Sequence, residues 1–126
     1  MHRTRIYGFF IDTPADRADD TVAFWSAALG TKIHRQPPDD PYWRLVGAAS
    51  GIQVEVQAVD DAPRYHMDIE TDDVAAEVDR LRGLGATVVT DNGSWTVLQA
   101  PGGHLFCVVP VQSDRDLFQA DSTVWP

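Results

Sequence analysis

The chain has 126 residues, with 10 lysines and arginines against 19 aspartates and glutamates, so its formal net charge is −9. This length fits one domain, and a hydrophobic content of 44% excludes a largely disordered chain. The negative charge argues against nucleic-acid binding, because phosphate backbones would be repelled. No apolar run approaches the ~18 residues of a membrane span. The single cysteine, Cys107, excludes an internal disulfide, and we expect a cytoplasmic protein without nucleic-acid or membrane partners.

The first half of the chain is predicted to form a strand, a helix and three further strands. Residues 5–11 are aromatic and β-branched, which predicts a strand. Acidic residues followed by apolar residues at helical spacing, with Gly30 just past the last turn, predict a capped helix. Phe24 and Trp25 on this helix are expected to pack in the core. The strands that follow are predicted at residues 31–35, 42–46 and 52–59.

The second half of the chain repeats this order. Residues 65–70 predict a strand, and Thr71, Asp72 and Asp73 are candidates for the N-cap of a helix that is closed by Gly85. The apolar stripe of this helix is predicted to consist of Val74, Val78, Leu81 and Leu84. Three further strands are predicted at residues 86–90, 95–99 and 105–109.

A short sequence motif recurs in the two halves and indicates a duplication. The segment Leu-Gly-Thr-Lys-Ile at 29–33 matches Leu-Gly-Ala-Thr-Val at 84–88. Such a repeat is typical of two supersecondary units that bury their apolar faces together. We therefore predict one α+β domain over residues 1–126, with tandem βαβββ modules at 3–59 and 64–110. The modules would form an eight-stranded mixed sheet with the helices on one face, followed by a tail at residues 111–126.

Alternating polarity in two of the strands predicts which face of the sheet is polar. Because successive side chains of a strand point to opposite faces, and helices cover only one face, the polar residues collect on the other. A flat sheet would make this a solvated face, whereas a curved sheet would make it the lining of a pocket, and the pattern leaves both open. The polar set consists of Gln53, Glu55, Gln57, His66 and Asp68.

Two segments, together with the paired modules, resemble a known superfamily. They are Ala-Phe-Trp-Ser-Ala-Ala-Leu-Gly at 23–30 and Ala-Pro-Gly-Gly-His-Leu-Phe-Cys at 100–107. Both are similar to the vicinal oxygen chelate superfamily, which includes glyoxalase I, bleomycin-resistance proteins, fosfomycin-resistance enzymes and extradiol dioxygenases. The resemblance covers residues 5–110 and implies that the sheet is curved into a U, with the helices on its outer face and a hollow that binds a small molecule. It also implies a homodimer.

The resemblance carries an expectation about metal binding. Metal-dependent relatives hold a divalent ion with one ligand from the first and one from the last strand of each module. Carried over position by position, these ligands fall on Gly8, Glu55, His66 and Cys107. Glycine offers no ligand atom, and glutamate is usual where Cys107 stands, so the set is incomplete and we expect metal-free binding. If zinc, nickel, manganese or iron did bind, Glu55, His66 and Cys107 would hold it.

Three aromatic residues are candidates for contact with a flat ligand. Trp43 and Trp95 lie on predicted strands of opposite modules, and Phe10 lies on the same face of its strand as Gly8. Each would stack on a ligand at the mouth of the hollow. Ordinary packing in the core or at its rim is the alternative for each.

These residues favour two functions of different kinds. The first is a glyoxalase/bleomycin-resistance-like protein that binds a small aromatic or cationic molecule, since the net charge attracts cations. The second is a lyase or isomerase acting next to a carbonyl. Glu55 or Asp68 would be its general base, and His66, with or without a divalent metal, would stabilise the enolate.

A third function depends on the tail. It requires that Leu117, Phe118 and Trp125 form an exposed apolar patch there, and the sequence does not assign a structure to the tail. Such a patch would mark either a non-catalytic interaction module or the face of the homodimer.

Overall fold

The computed structural model describes residues 1–35 and 37–126, and over these residues the fold is α+β. The order βαβββ occurs twice, as predicted. The tail adds a third helix and a ninth strand to the predicted elements. None of the helices in the described ranges combines the length and the apolar content needed to cross a bilayer. The elements are β1 (His2–Pro14), α1 (Ala18–Leu29), β2 (Lys32–His34), β3 (Tyr42–Val46), β4 (Gln53–Val59), β5 (Arg64–Thr71), α2 (Val74–Gly83), β6 (Thr87–Asp91), β7 (Thr96–Gln99), β8 (Leu105–Pro110), α3 (Arg115–Asp121) and β9 (Thr123–Trp125).

The chain divides into two compact units, of which the first comprises Gly8–His66. Its strands follow the order β2-β3-β4-β1, in which β1 and β4 are parallel and the other neighbours antiparallel. Helix α1 ends at Gly30, whose φ of 66° is the left-handed conformation that favours glycine. The core between α1 and the strands is formed by Ile11, Val22, Leu45 and Val56.

The second unit comprises Met1–Tyr7 and Met67–Pro126. Its strands follow the order β5-β8-β7-β6, and α2 packs on one face of them. Leu84, which was predicted to belong to the apolar stripe of α2, is 67% exposed because the helix ends at Gly83. The core of the unit is formed by Ala86, Leu98 and Val108, with Val74, Val78 and Leu81 of α2 packed against them.

Helix α2 begins with an N-cap that the sequence predicts. The side chain of Asp73 accepts a hydrogen bond of 3.0 Å from the backbone N–H of Ala76. Asp73→Ala should therefore lower the free energy of unfolding by about 1 kcal/mol, measured by urea denaturation. Asp60→Ala, at an exposed turn, is the control and should change it by less than ~0.5 kcal/mol. Equal effects of the two substitutions would contradict a capping role.

The tail packs onto the second unit instead of exposing an apolar patch. Strand β9 pairs antiparallel with His2–Thr4 of β1, and the Trp125 indole N–H donates a hydrogen bond of 2.9 Å to Thr4 Oγ1. Phe118 is only 3% exposed, and Trp125 is half-buried. The exposed patch of Leu117, Phe118 and Trp125 on which the third function depends is therefore not formed, because strand pairing and α3 cover two of its members.

A buried charge cluster joins the N-terminus to α2. Glu77 is fully buried; one of its carboxylate oxygens lies 2.6 Å from His2 Nε2 and accepts a hydrogen bond of 2.9 Å from Arg80 Nε. Its other oxygen accepts a hydrogen bond of 2.6 Å from Arg80 Nη2. The hydrogen bond to Glu77, aided by the charge of that carboxylate, raises the pKa of Arg80, although burial acts in the opposite direction. Arg80 also lies over the ring of Trp125, 3.6 Å from its centroid, so the cluster extends to the tail.

Candidate functional site

The face of the first unit opposite α1 is polar, and we call it the polar face. Residues paired between neighbouring strands project to the same side of a sheet. In the β1–β4 pair, Phe10 lies beside Glu55 and Asp12 beside Gln57. The residues that this register places on the polar face are Gly8, Phe10, Asp12, Tyr42, Arg44, Gln53, Glu55 and Gln57. The alternation in β4 therefore positions its three polar residues as the sequence predicts.

Glu55 is a buried carboxylate on the polar face, with 7% of its surface exposed. Its register partner on β3 is Arg44, so an acidic and a basic side chain lie on adjacent strands. The Arg44 Nε atom is buried and, among the described residues, has no hydrogen-bond acceptor. Buried donors without an acceptor are rare in proteins, and a bound ligand is one way to satisfy them.

His66 is held from two sides within the first unit. Its Nδ1 lies 2.8 Å from Oδ2 of Asp12, a carboxylate that is 2% exposed. An ionised carboxylate only accepts hydrogen bonds, so Nδ1 is the donor. The ring of Phe10 stacks on the imidazole with a centroid distance of 4.7 Å and an angle of 7°. Hydrogen bond and stacking together fix the orientation of the imidazole.

Asp12 has a second neighbour in this arrangement. The Nε of Arg64 lies 3.4 Å from the same Oδ2 atom, and Arg64 also pairs with Asp61 at 3.0 Å. The other carboxylate oxygen of Asp12, Oδ1, is buried and accepts no hydrogen bond from the described residues. Sequence reasoning missed Asp12, because it reads as a turn former that ends a strand, whereas β1 continues to Pro14.

The tryptophan predicted for this face lies on the other one. Trp43 pairs with Val56 and packs against the core, with the Arg35 guanidinium 4.1 Å from its ring centroid. The prediction that Trp43 stacks on a ligand is therefore wrong for the polar face. Its neighbour Tyr42 takes that place, since it is 38% exposed and its ring lies 6.1 Å from that of Phe10.

The remaining predicted site residues belong to the second unit. Asp68 pairs with Cys107 between β5 and β8, and a carboxylate oxygen of Asp68 lies within 4.8 Å of the Cys107 sulfur. Cys107 faces Val97 across the β7–β8 pair. Trp95 precedes β7 and is 39% exposed.

The sequence and the fold both resemble those of known proteins. Residues 8–109 match the family described as glyoxalase-like domain. The chain belongs to this family. Over 76 residues, this glyoxalase-like protein is 33% identical to the tRNA-specific 2-thiouridylase of Rhodococcus opacus strain B4. That match covers 60% of the chain and 21% of the thiouridylase, so the chain spans about a fifth of the length of this curated relative.

Solved structures with similar folds include two enzymes. Methylmalonyl-CoA epimerase from Mycobacterium tuberculosis superposes with a TM-score of 0.57 at 16% identity, covering 86% of this chain and 88% of the epimerase. A dioxygenase acting on 2,2′,3-trihydroxybiphenyl, from Sphingomonas wittichii strain RW1, gives a TM-score of 0.59 at 14% identity, covering 90% of this chain and 44% of the dioxygenase. At these identities the likeness concerns the fold alone. The predicted membership of the vicinal oxygen chelate superfamily is confirmed.

The four-ligand metal set of the relatives does not fit this glyoxalase-like protein at its first position. Gly8 has no ligand atom, and a Cβ built there would lie 3.1 Å from the Gln53 carbonyl oxygen and 3.2 Å from Phe10 Cε2. The ring of Phe10 instead stacks on His66. Asp68 and Cys107 offer a carboxylate oxygen and a sulfur, which are both ligand types that zinc accepts. A divalent metal is therefore a possible cofactor, and elemental analysis of the purified protein tests for it.

Proposed function

We propose that this glyoxalase-like protein binds a small aromatic or cationic molecule on the polar face of its first unit. The observation that carries the proposal is the buried carboxylate of Glu55 on the same face as the aromatic residues Phe10 and Tyr42. Binding sites for small molecules typically combine apolar or aromatic surface with a few polar groups that fix orientation. The polar face has this composition.

The aromatic residues support an aromatic or cationic ligand in particular. Tyr42 is the accessible ring, whereas Phe10 is 3% exposed and supports it from beneath. A ring attracts both other rings and cations through its π face. Glu55 adds a negative charge, and the net charge of −9 attracts cations over longer distances. The amides of Gln53 and Gln57 would then orient polar groups of the ligand.

The test compares benzyltrimethylammonium, an aromatic cation, with the neutral benzyl alcohol by isothermal titration calorimetry. We expect the cation to bind more tightly, and Glu55→Gln to weaken its binding about 10- to 100-fold, because a charge-assisted contact is lost. The matched control is Asp121→Asn, which removes an exposed carboxylate at the end of α3 and should leave binding unchanged. Failure of the wild-type protein to bind either probe, or unchanged affinity in Glu55→Gln, would overturn the proposal.

A second candidate function is proton transfer next to a carbonyl, as in a lyase or isomerase. The short contact between the Asp12 carboxylate and His66 Nδ1 favours it, because this pair would stabilise an imidazolium. In this reaction Glu55 takes the proton from the carbon next to the carbonyl. The electron pair of the broken C–H bond forms the C=C bond of the enolate, and the π pair of the carbonyl moves to its oxygen. His66 donates a hydrogen bond from Nε2 to the resulting enolate oxygen. The fold shared with an epimerase, a class of isomerase, is compatible with this chemistry.

A further inference from the structure

A second recess lies in the first unit, between α1 and the ends of two strands. Its volume is about 360 Å³, within the range of pockets that bind small molecules. We call it the α1 cleft. One wall comes from α1 and the residue before it, and the other from β5 and the end of β1. The lining residues that matter for binding are Arg17, Asp20, Phe24, Trp25, Arg64 and Tyr65.

Aromatic side chains stand on both walls of the α1 cleft. Phe24 is 63% exposed and Tyr65 is 57% exposed, which is unusual for rings of this size. Phe24 contacts Trp25 edge to face at 5.2 Å, and Tyr65 stacks on Phe9 at 5.4 Å, so both rings are supported from behind. Phe24 was expected in the core, and its exposure leaves a ring available to a ligand. A planar ring placed between the two walls would contact aromatic surface on each side.

The charged groups of the α1 cleft have opposite signs, and they differ in whether another side chain already pairs with them. Arg64 is already engaged by Asp12 and Asp61. Within the described residues, neither the guanidinium of Arg17 nor the carboxylate of Asp20 forms a hydrogen bond or an ion pair, and both residues are exposed. A ligand with one positive and one negative group would satisfy both. The net charge of −9 would oppose an anion but not a zwitterion, which has no net charge.

We propose that the α1 cleft binds a small aromatic zwitterion. The ring lies between Phe24 and Tyr65, the carboxylate pairs with Arg17, and the ammonium pairs with Asp20. A free aromatic amino acid is the simplest member of this class. The cleft lies on the α1 side of the strands, whereas Phe10, Tyr42 and Glu55 of the proposed site project to the opposite side. Asp12 of the polar face also lines the cleft, and the other residues of the polar face do not.

The test uses L-phenylalanine, 3-phenylpropanoate and phenethylamine, which share the phenyl ring and its two-carbon chain and differ in whether the carboxylate, the ammonium group or both are present. Binding to the wild-type protein is followed by two-dimensional NMR, which reports the indole N–H of Trp25 and the amides of α1. We expect L-phenylalanine to shift these signals and to bind about 10-fold more tightly than either singly charged probe, because each of them loses one charge-assisted contact. Equal binding of the three probes, or no shift with L-phenylalanine, would overturn the proposal.

Variants at exposed positions locate the site without disturbing the core. Arg17→Ala should weaken binding of L-phenylalanine about 10-fold and leave phenethylamine unaffected. Phe24→Ala should weaken the binding of all three probes. Arg115→Ala removes an exposed arginine from α3 and is the matched control, expected to bind like the wild type. Circular dichroism verifies the fold of each variant, and wild-type affinity in both Arg17→Ala and Phe24→Ala would contradict binding in the cleft.

Discussion

Replacing Glu77 by alanine is expected to lower the free energy of unfolding by about 3–5 kcal/mol, because one partner of a buried ion pair is removed. Glu77 is fully buried and accepts hydrogen bonds of 2.9 and 2.6 Å from Arg80, with His2 Nε2 2.6 Å away. The substitution leaves the buried His2 imidazole without its acceptor, whereas the Arg80 side chain is 26% exposed and can turn to water. The pairing of β9 with the start of β1 should weaken at the same time, since Arg80 also holds Trp125.

The measurement is urea denaturation followed by circular dichroism, with hydrogen exchange of the β9 amides as a second readout. Glu77→Gln keeps the shape and one acceptor, so its loss should be smaller, about 1–3 kcal/mol. Asp79→Ala, exposed on the same helix, is the control and should stay within ~0.5 kcal/mol of the wild type. A loss below ~1 kcal/mol in Glu77→Ala would show that the cluster adds little to stability.

The pH dependence of this contribution follows from the direction of the Arg80 shift. Its pKa in the folded protein is raised, chiefly by the hydrogen bond to Glu77. A group whose pKa is raised by folding contributes fully to the free energy of unfolding at any pH below its unfolded-state pKa. It loses this contribution only as the pH rises through its folded-state pKa. For an arginine this range lies far above neutral pH. Titration of Arg80 should therefore not change the free energy of unfolding between about pH 6 and pH 9.

The order of elements could be predicted because it leaves periodic signals in the sequence. The alternation of β4 identifies Glu55 as a residue of the polar face, and the β1–β4 register agrees with it. Strand β3 was located correctly at 42–46, yet Trp43 was assigned to the wrong face. The sequence Tyr-Trp-Arg-Leu-Val does not alternate cleanly, so only the pairing of Trp43 with Val56 decides which ring faces the ligand.

Contacts between distant residues could not be predicted in this way. Asp12 and His66 are 54 positions apart, and no local pattern marks them as partners. The same holds for Glu77 and His2, 75 positions apart, and for the burial of Phe118. Such contacts depend on the completed fold, because strand pairing brings the side chains together after the chain has closed a long loop. The aspartate that orients His66 was therefore found only in the structure.

If the protein moves a proton next to a carbonyl, His66→Ala should reduce the rate about 10²- to 10³-fold, the range typical for loss of a donor that stabilises a developing oxyanion. The assay is deuterium incorporation from D₂O into methylmalonyl-CoA, the substrate named for the structural neighbour, followed by mass spectrometry. Glu55→Gln should abolish exchange if Glu55 is the base, and Asp68→Asn tests the alternative base of the sequence analysis. His104→Ala, an exposed histidine in a turn, is the control and should exchange at the wild-type rate.

Asp12 acts on this reaction through His66 and is therefore a positioning residue. Asp12→Asn keeps a hydrogen-bond acceptor for Nδ1 but removes the negative charge that would stabilise an imidazolium. Its kcat should fall while KM changes little, because the substrate does not contact Asp12 directly. In Asp12→Ala the imidazole ring of His66 also loses its fixed orientation, so kcat should fall further. Exchange at the wild-type rate in both His66→Ala and Asp12→Ala would eliminate the roles of His66 and Asp12. The absence of exchange with the wild-type protein would eliminate this reaction and leave ligand binding at Glu55 as the proposed activity of the polar face.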